Sequence, residues 1–184
     1  MKFPFFKKII LIATLGYCLF SCSSDLDFNQ AEDFNIQPVF TTNLAYFEKK
    51  APEFIIGGTE QSFFQHTSNV DFFNTSFVEE DLVKAELYFR IKNTIAREYI
   101  FNIIFLDVNG VPVNSGIKID VPAYNGAEVL VEKTVTYTAA DVDILKRTTQ
   151  MMFSITMLPG PPLTANSQGR FELSSSITAY FDVE

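Results

Sequence analysis

From residue 82 to residue 93 the sequence LVKAELYFRIKN alternates without a break. Val83, Ala85, Leu87, Phe89 and Ile91 are apolar, and Lys84, Glu86, Tyr88, Arg90 and Lys92 stand between them. A period of two is that of a strand with one face in a core and the other in water. The following REYIFNIIFLD carries Phe101, Ile103, Ile104, Phe105 and Leu106 on both parities, which predicts a strand inside a sheet, with a turn near Asn93 and Thr94 before it. Val108, Asn109 and Gly110 predict a hairpin turn, because Asn and Gly tolerate positive φ. The next strand runs to about Val121, and Pro112 near its start lacks an N–H, so this strand belongs at a sheet edge.

Pro122 to Gly126 reads as a loop and Glu128 to Thr138 as a strand. MMFSITML (151–158) and RFELSSSITAYFDV (170–183) read as two more, joined by LPGPPLTANSQG. Only YTAADVDILKRT changes period. It predicts a short helix over about 139–147, with Thr138 as cap, Asp141 in the first turn, Lys146 and Arg147 in the last, and Val142 and Leu145 toward the core. Together with one or two strands before residue 80, these elements predict a mainly β protein. The expected fold is one antiparallel Ig-like or fibronectin-like sandwich of about seven or eight strands over residues 36–184.

Residues 36–80 are less regular. Eight phenylalanines, at 40, 47, 54, 63, 64, 72, 73 and 77, sit among Gly, Asn, Gln, Ser and Thr. One reading makes them plugs for the open ends of the sandwich plus its first strand. The other makes them a surface for a protein or glycan partner, since exposed aromatics bury much area at small entropic cost. Alternation sets one ring of each pair, Phe63/Phe64 and Phe72/Phe73, outside.

The chain begins with Lys2, Lys7 and Lys8 and then an apolar run, Ile9 to Tyr17, too short to span a bilayer as a helix. Residues 1–21 therefore read as an export signal. Leu19, Phe20, Ser21 and Cys22 resemble the lipobox of bacterial lipoproteins, with Phe20 the loosest fit. The resemblance implies cleavage before Cys22, a diacylglyceryl group on its thiol and an acyl chain on the new amine. Several chains hold a protein on a membrane where one binds only marginally. Cys18 follows the bulky Tyr17 and fits this pattern worse. With Cys22 acylated and Cys18 removed, the chain keeps no thiol for a disulfide or a metal. SDLDF (24–28) also resembles the acidic export signal that follows the cysteine in Bacteroidetes-type surface lipoproteins. That likeness implies an outer-membrane protein facing outward; a merely polar linker is the plainer reading.

Removal of the signal takes three lysines from a chain of net charge −8, leaving about −11. Such a surface has no electrostatic footprint for nucleic acid or anionic lipid. Ser23 to Glu48 contains no basic residue, so residues 22–35 read as an acidic, extended tether. Within the sandwich, FRIKN and FLDVNG resemble part of a fibronectin-like or LEA14-type (WHy) sandwich over about a quarter of the chain. The terminal TAYFDV is similar to uncharacterised Bacteroidetes lipoproteins, a likeness that implies no activity.

Reactive chemistry is sparse. His66 is the single histidine, in a loop-like polar setting, and neither a GxSxG elbow nor a phosphate-cradling Gly-rich loop is present. Asp107 with Asn109, and Asp141 with Asp143, are the carboxylate groupings to weigh for calcium, but DVNGVP does not complete an EF-hand loop. Among 22 acids nothing in the spacing selects a pair for glycoside hydrolysis. The expectation is a protein that is not an enzyme and needs no cofactor beyond the lipid on Cys22.

The candidate binding loop is Leu158 to Gly169. Pro159, Pro161 and Pro162 around Gly160 stiffen a connection that would present Leu158 and Leu163 at little ordering cost; the plainer reading is that the prolines end a strand and protect an edge. Shortening residues 159–163 should then leave folding intact. With Phe63, Phe64, Phe72 and Phe73, these residues make up the expected partner-binding set. The expected function is a lipid-anchored adaptor that docks onto another envelope protein. The alternative is a glycan-binding accessory module, against which the absence of Trp counts.

Overall fold

A computed structural model describes residues 36–138 and 141–183, a body that begins at Ile36. The signal segment, Cys22 and the tether lie outside the described residues. In chain order the elements are β1 (Val39–Lys50), β2 (Ile55–Ile56), β3 (Thr59–Glu60), β4 (Phe63–Asn69), α1 (Ser76–Asp81), β5 (Leu82–Asn93) and β6 (Tyr99–Leu106). They continue with β7 (Ile117–Val121), β8 (Val129–Thr138), α2 (Val142–Lys146), β9 (Gln150–Met157) and β10 (Arg170–Phe181).

Two four-stranded antiparallel sheets face each other. Sheet I has the order β1-β10-β5-β8 and sheet II the order β4-β9-β6-β7, while β2 and β3 form a separate small hairpin. The mainly β antiparallel sandwich is the one that the alternation predicts. Its connectivity is not Ig-like or fibronectin-like. The first long strand pairs with the last, and the chain crosses repeatedly between the sheets, which is the strand order of a jelly roll.

Inward residues of all eight long strands make one core. Phe89, Phe101, Phe105 and Phe171 are fully buried, and Phe101 stacks on Phe153 at 6.1 Å between centroids. β6 is an inner strand and β7 an edge, as expected, but Pro112, on which the edge expectation rests, lies before β7 and makes only an isolated bridge to Leu106. β5 obeys its alternation except at its start. Tyr180 pairs with Lys84 but Phe181 pairs with Leu82, so Val83 is an extra residue in a bulge; it is 46% exposed and Leu82 takes its place in the core.

The turn after β6 is built by Asp107, whose Oδ1 accepts from the N–H groups of Asn109 and Val111, with Gly110 at φ 76°. The helix expected after β8 forms over Val142–Lys146 with Val142 and Leu145 buried. Thr138 is not its cap, because the pairing of β8 with β5 runs on to Thr138 opposite Lys84. α1 was not expected at all; Thr75 caps it by accepting from the Val78 N–H at 3.3 Å.

Candidate functional site

A sandwich of two sheets has two long sides. On one, Lys133 of β8 donates from Nζ to the carbonyl of Lys118 on β7 at 2.9 Å, tying the sheets together. On the other, the edge strands β1 and β4 leave a cavity of about 350 Å³. Phe47, Phe64, Phe153 and Ile155 form its apolar lining, and Glu48, Lys49, Glu53, Gln65 and His66 stand around it. A mostly apolar hollow with a few polar groups at its mouth is the common form of a binding site. The Lys49 ammonium lies 3.9 Å from the Phe64 ring centroid and 5.3 Å from that of Phe54. Its burial lowers its pKa, opposed by the nearby Glu53 carboxylate.

The outer faces of the two sheets differ in kind. Sheet I carries a lattice of charge: Lys84 meets Glu86 at 2.6 Å, Tyr88 donates to Glu132, and Arg170 pairs with Glu48 and Glu172 at 3.6 and 3.1 Å. The bonded Lys84 holds the Glu86 carboxyl below the usual carboxylate range, and Glu86 raises Lys84 in turn. On sheet II the adjacent strands β4, β9 and β6 contain no Asp, Glu, Lys or Arg. Their outward positions are Phe63, Gln65 and Thr67, then Met152, Ser154 and Thr156, then Ile100, Asn102 and Ile104.

The structure divides the expected partner-binding set. Phe63 is 55% exposed at the start of β4, and Phe64 is half-buried in the seam. Leu158 follows β9 at that same end, since Met157 donates to the Ser62 carbonyl at 2.7 Å. Phe72 and Phe73 lie beyond the opposite end of β4. Phe73 is fully buried with Phe72 packed against it at 5.6 Å, so Phe73 offers a partner no surface.

Pro159, Pro161 and Pro162 are exposed, Leu158 is half-buried and Leu163 packs against the core, but this loop is not free. The side chain of Arg97, 4% exposed, donates to the carbonyls of Leu158 and Pro161 and to both carboxylate oxygens of Glu60 at 3.0 Å. Glu60 also accepts from the Leu163 N–H at 2.7 Å. Beside this clamp the Tyr99 hydroxyl is buried without a partner, and burial pushes its pKa far up.

Neither Arg97 nor Glu60 stood out in the sequence, because each finds its partners only through the fold. His66 lines the seam, a place its polar neighbours in the chain do not reveal. Among the described residues no group of three or more His, Cys, Asp or Glu side chains could hold a metal ion. Nor, among them, is any helix long and apolar enough to cross a membrane.

No family model and no curated protein matches the chain. Solved structures similar to it include the VP2 subviral particle of infectious bursal disease virus (12% identity, 78% of this chain and 32% of that one, TM-score 0.43). A protein of Parabacteroides distasonis described as secreted matches at 16% identity, over 64% of this chain and 37% of that one, with a TM-score of 0.45. The enzymatically active domain of tailspike protein 4 from bacteriophage CBA120 matches at 13%, over 80% and 19%, with a TM-score of 0.34. This chain spans about a third of the length of the first two. At these scores the likenesses carry no argument about function.

Proposed function

We propose that this protein is a non-enzymatic lipoprotein of the bacterial outer membrane, held by acyl chains on Cys22, which docks through sheet II onto another envelope protein. The resemblance of Leu19, Phe20, Ser21 and Cys22 to a lipobox supports the anchor. The docking half is carried by one observation: three neighbouring strands free of Asp, Glu, Lys and Arg on a chain of net charge −8. A surface depleted of charge is what the buried centre of an interface requires, because unpaired charges are costly to desolvate.

A second reading has its own support. Gln65, Asn102, Thr67 and Thr156 set amides and hydroxyls on the outer face of the sheet beside the exposed Phe63, which suits a neutral glycan. Membrane extraction in mild detergent, with the anchor retained, separates the two. A stoichiometric envelope protein in the eluate supports docking. A lone protein that binds a polysaccharide array supports the glycan reading. Cys22→Ser should release the protein from membranes, and its retention after a salt wash would count against the anchor.

A further inference from the structure

We infer that the free edge of β4 pairs with β4 of a second copy, joining two sandwiches into one continuous eight-stranded sheet. A free strand edge is a template for pairing, and proteins normally blunt it with charge, bulges or shortness. Three of the four edges here are blunted. β1 has a bulge between Asn43 and Ala45 and ends in Glu48, Lys49 and Lys50. β7 is five residues long with Lys118 and Asp120, and β8 carries Glu132 and Lys133. β4 has seven residues, an unbroken register with β9, no Pro and none of the four charged residue types.

The groups on that edge can be assigned. Met157 donates to the Ser62 carbonyl and Val70 to the Thr149 carbonyl, at 2.7 and 2.9 Å. Antiparallel partners alternate between bonded and non-bonded pairs. Residues 64, 66 and 68 therefore exchange bonds with β9, while 63, 65 and 67 turn their N–H and C=O groups to the free side. Antiparallel self-pairing about a two-fold axis at Gln65 sets Phe64 of one copy opposite His66 of the other, on the inward side. The cavity meets β4 at Phe64, Gln65 and His66, centred on the same residue. Phe64 of each copy already packs on its own Phe54 and under its own Lys49, so the paired strands would close the mouths of the two cavities.

Charge and area select this occupant. Two mature chains of net charge about −11 repel, but β4 itself carries no carboxylate, and of the two at the mouth of the cavity Glu48 is paired with Arg170 and Glu53 faces Lys49. At about 4.8 Å per strand and 3.3 Å per residue the uncharged face of one copy measures roughly 300 Å². A stable interface takes about 800 Å² from each partner. Doubling the face across the axis brings it to roughly 600 Å², three-quarters of that size, so the inference deepens the docking function proposed above and rests on it.

The test uses the full chain in detergent. Gln65→Cys should give a disulfide-linked dimer on mild oxidation, since the two positions face each other across the axis. Thr178→Cys, on the outer face of sheet I, should stay monomeric. Adding Thr67→Pro to Gln65→Cys removes a free-side donor without a bond to β9 and should cut the dimer at least tenfold with an unchanged melting curve. Thr67→Val, which keeps the donor, should preserve the dimer and guards against a folding artefact. The inference is overturned if the Gln65→Cys protein stays monomeric, if it links to a different polypeptide, or if Thr67→Pro leaves the dimer intact. A monomer that still co-purifies with an envelope protein refutes the self-pairing alone and leaves the docking function standing.

Discussion

Arg97 shows how one side chain can decide the character of a whole loop. Its guanidinium has acceptors on Glu60, Leu158 and Pro161, so a charge that would be costly to bury is fully matched. Arg97→Met keeps much of the apolar stem and strands the Glu60 carboxylate. Removing one partner of a buried pair costs about 3 kcal/mol, and because Glu60 is 28% exposed the loss here should lie at about 1–3 kcal/mol. Chemical denaturation should show a loss of that order, and a loss below about 1 kcal/mol would mean that solvent already screens the pair. Nothing in RIKNTIAREY marks Arg97 as buried, because its carboxylate is 37 residues away and arrives only when β3 folds against the end of the sandwich. Val83 leaves the face that alternation assigns it for a related reason: alternation holds until a bulge adds a residue, and the bulge is set by the partner strand.

Among elements, the proline-rich connection between β9 and β10 changes its role. Its prolines suggest a stiff, presented tip that could be trimmed freely. The structure makes the carbonyls of Leu158 and Pro161 ligands of Arg97, and a Cβ on Gly160 would stand 3.0 Å from that side chain. Removing residues 160–162 should therefore lower the melting temperature clearly. An unchanged melting temperature would return the loop to the surface role read from its composition. The long strands were legible because burial of one face imposes a period of two that local sequence must obey. α1 was not, since SFVEED carries too few turns to establish a helical period, and only the cap at Thr75 signals it.

For the whole molecule, side-chain alternation states which face a residue occupies and is silent about which strand lies beside it. Eight strands with the same faces serve an Ig-like sandwich or a jelly roll equally well, and the pairing of β1 with β10 follows from contacts about 130 residues apart. The same gap hid the uncharged face. YIFNIIFL, QMMFSITM and FFQHTSN are scattered along the chain and become one surface only as neighbours in sheet II. That surface carries the central claim, and charge placed on it is the most direct test. Asn102→Lys and Thr156→Glu alter outward side chains and leave the backbone ladder alone, so both variants should melt like the parent protein. Co-purification of an envelope protein with each variant, anchor retained, should fall at least tenfold relative to the parent. An undiminished yield from both would contradict docking through sheet II.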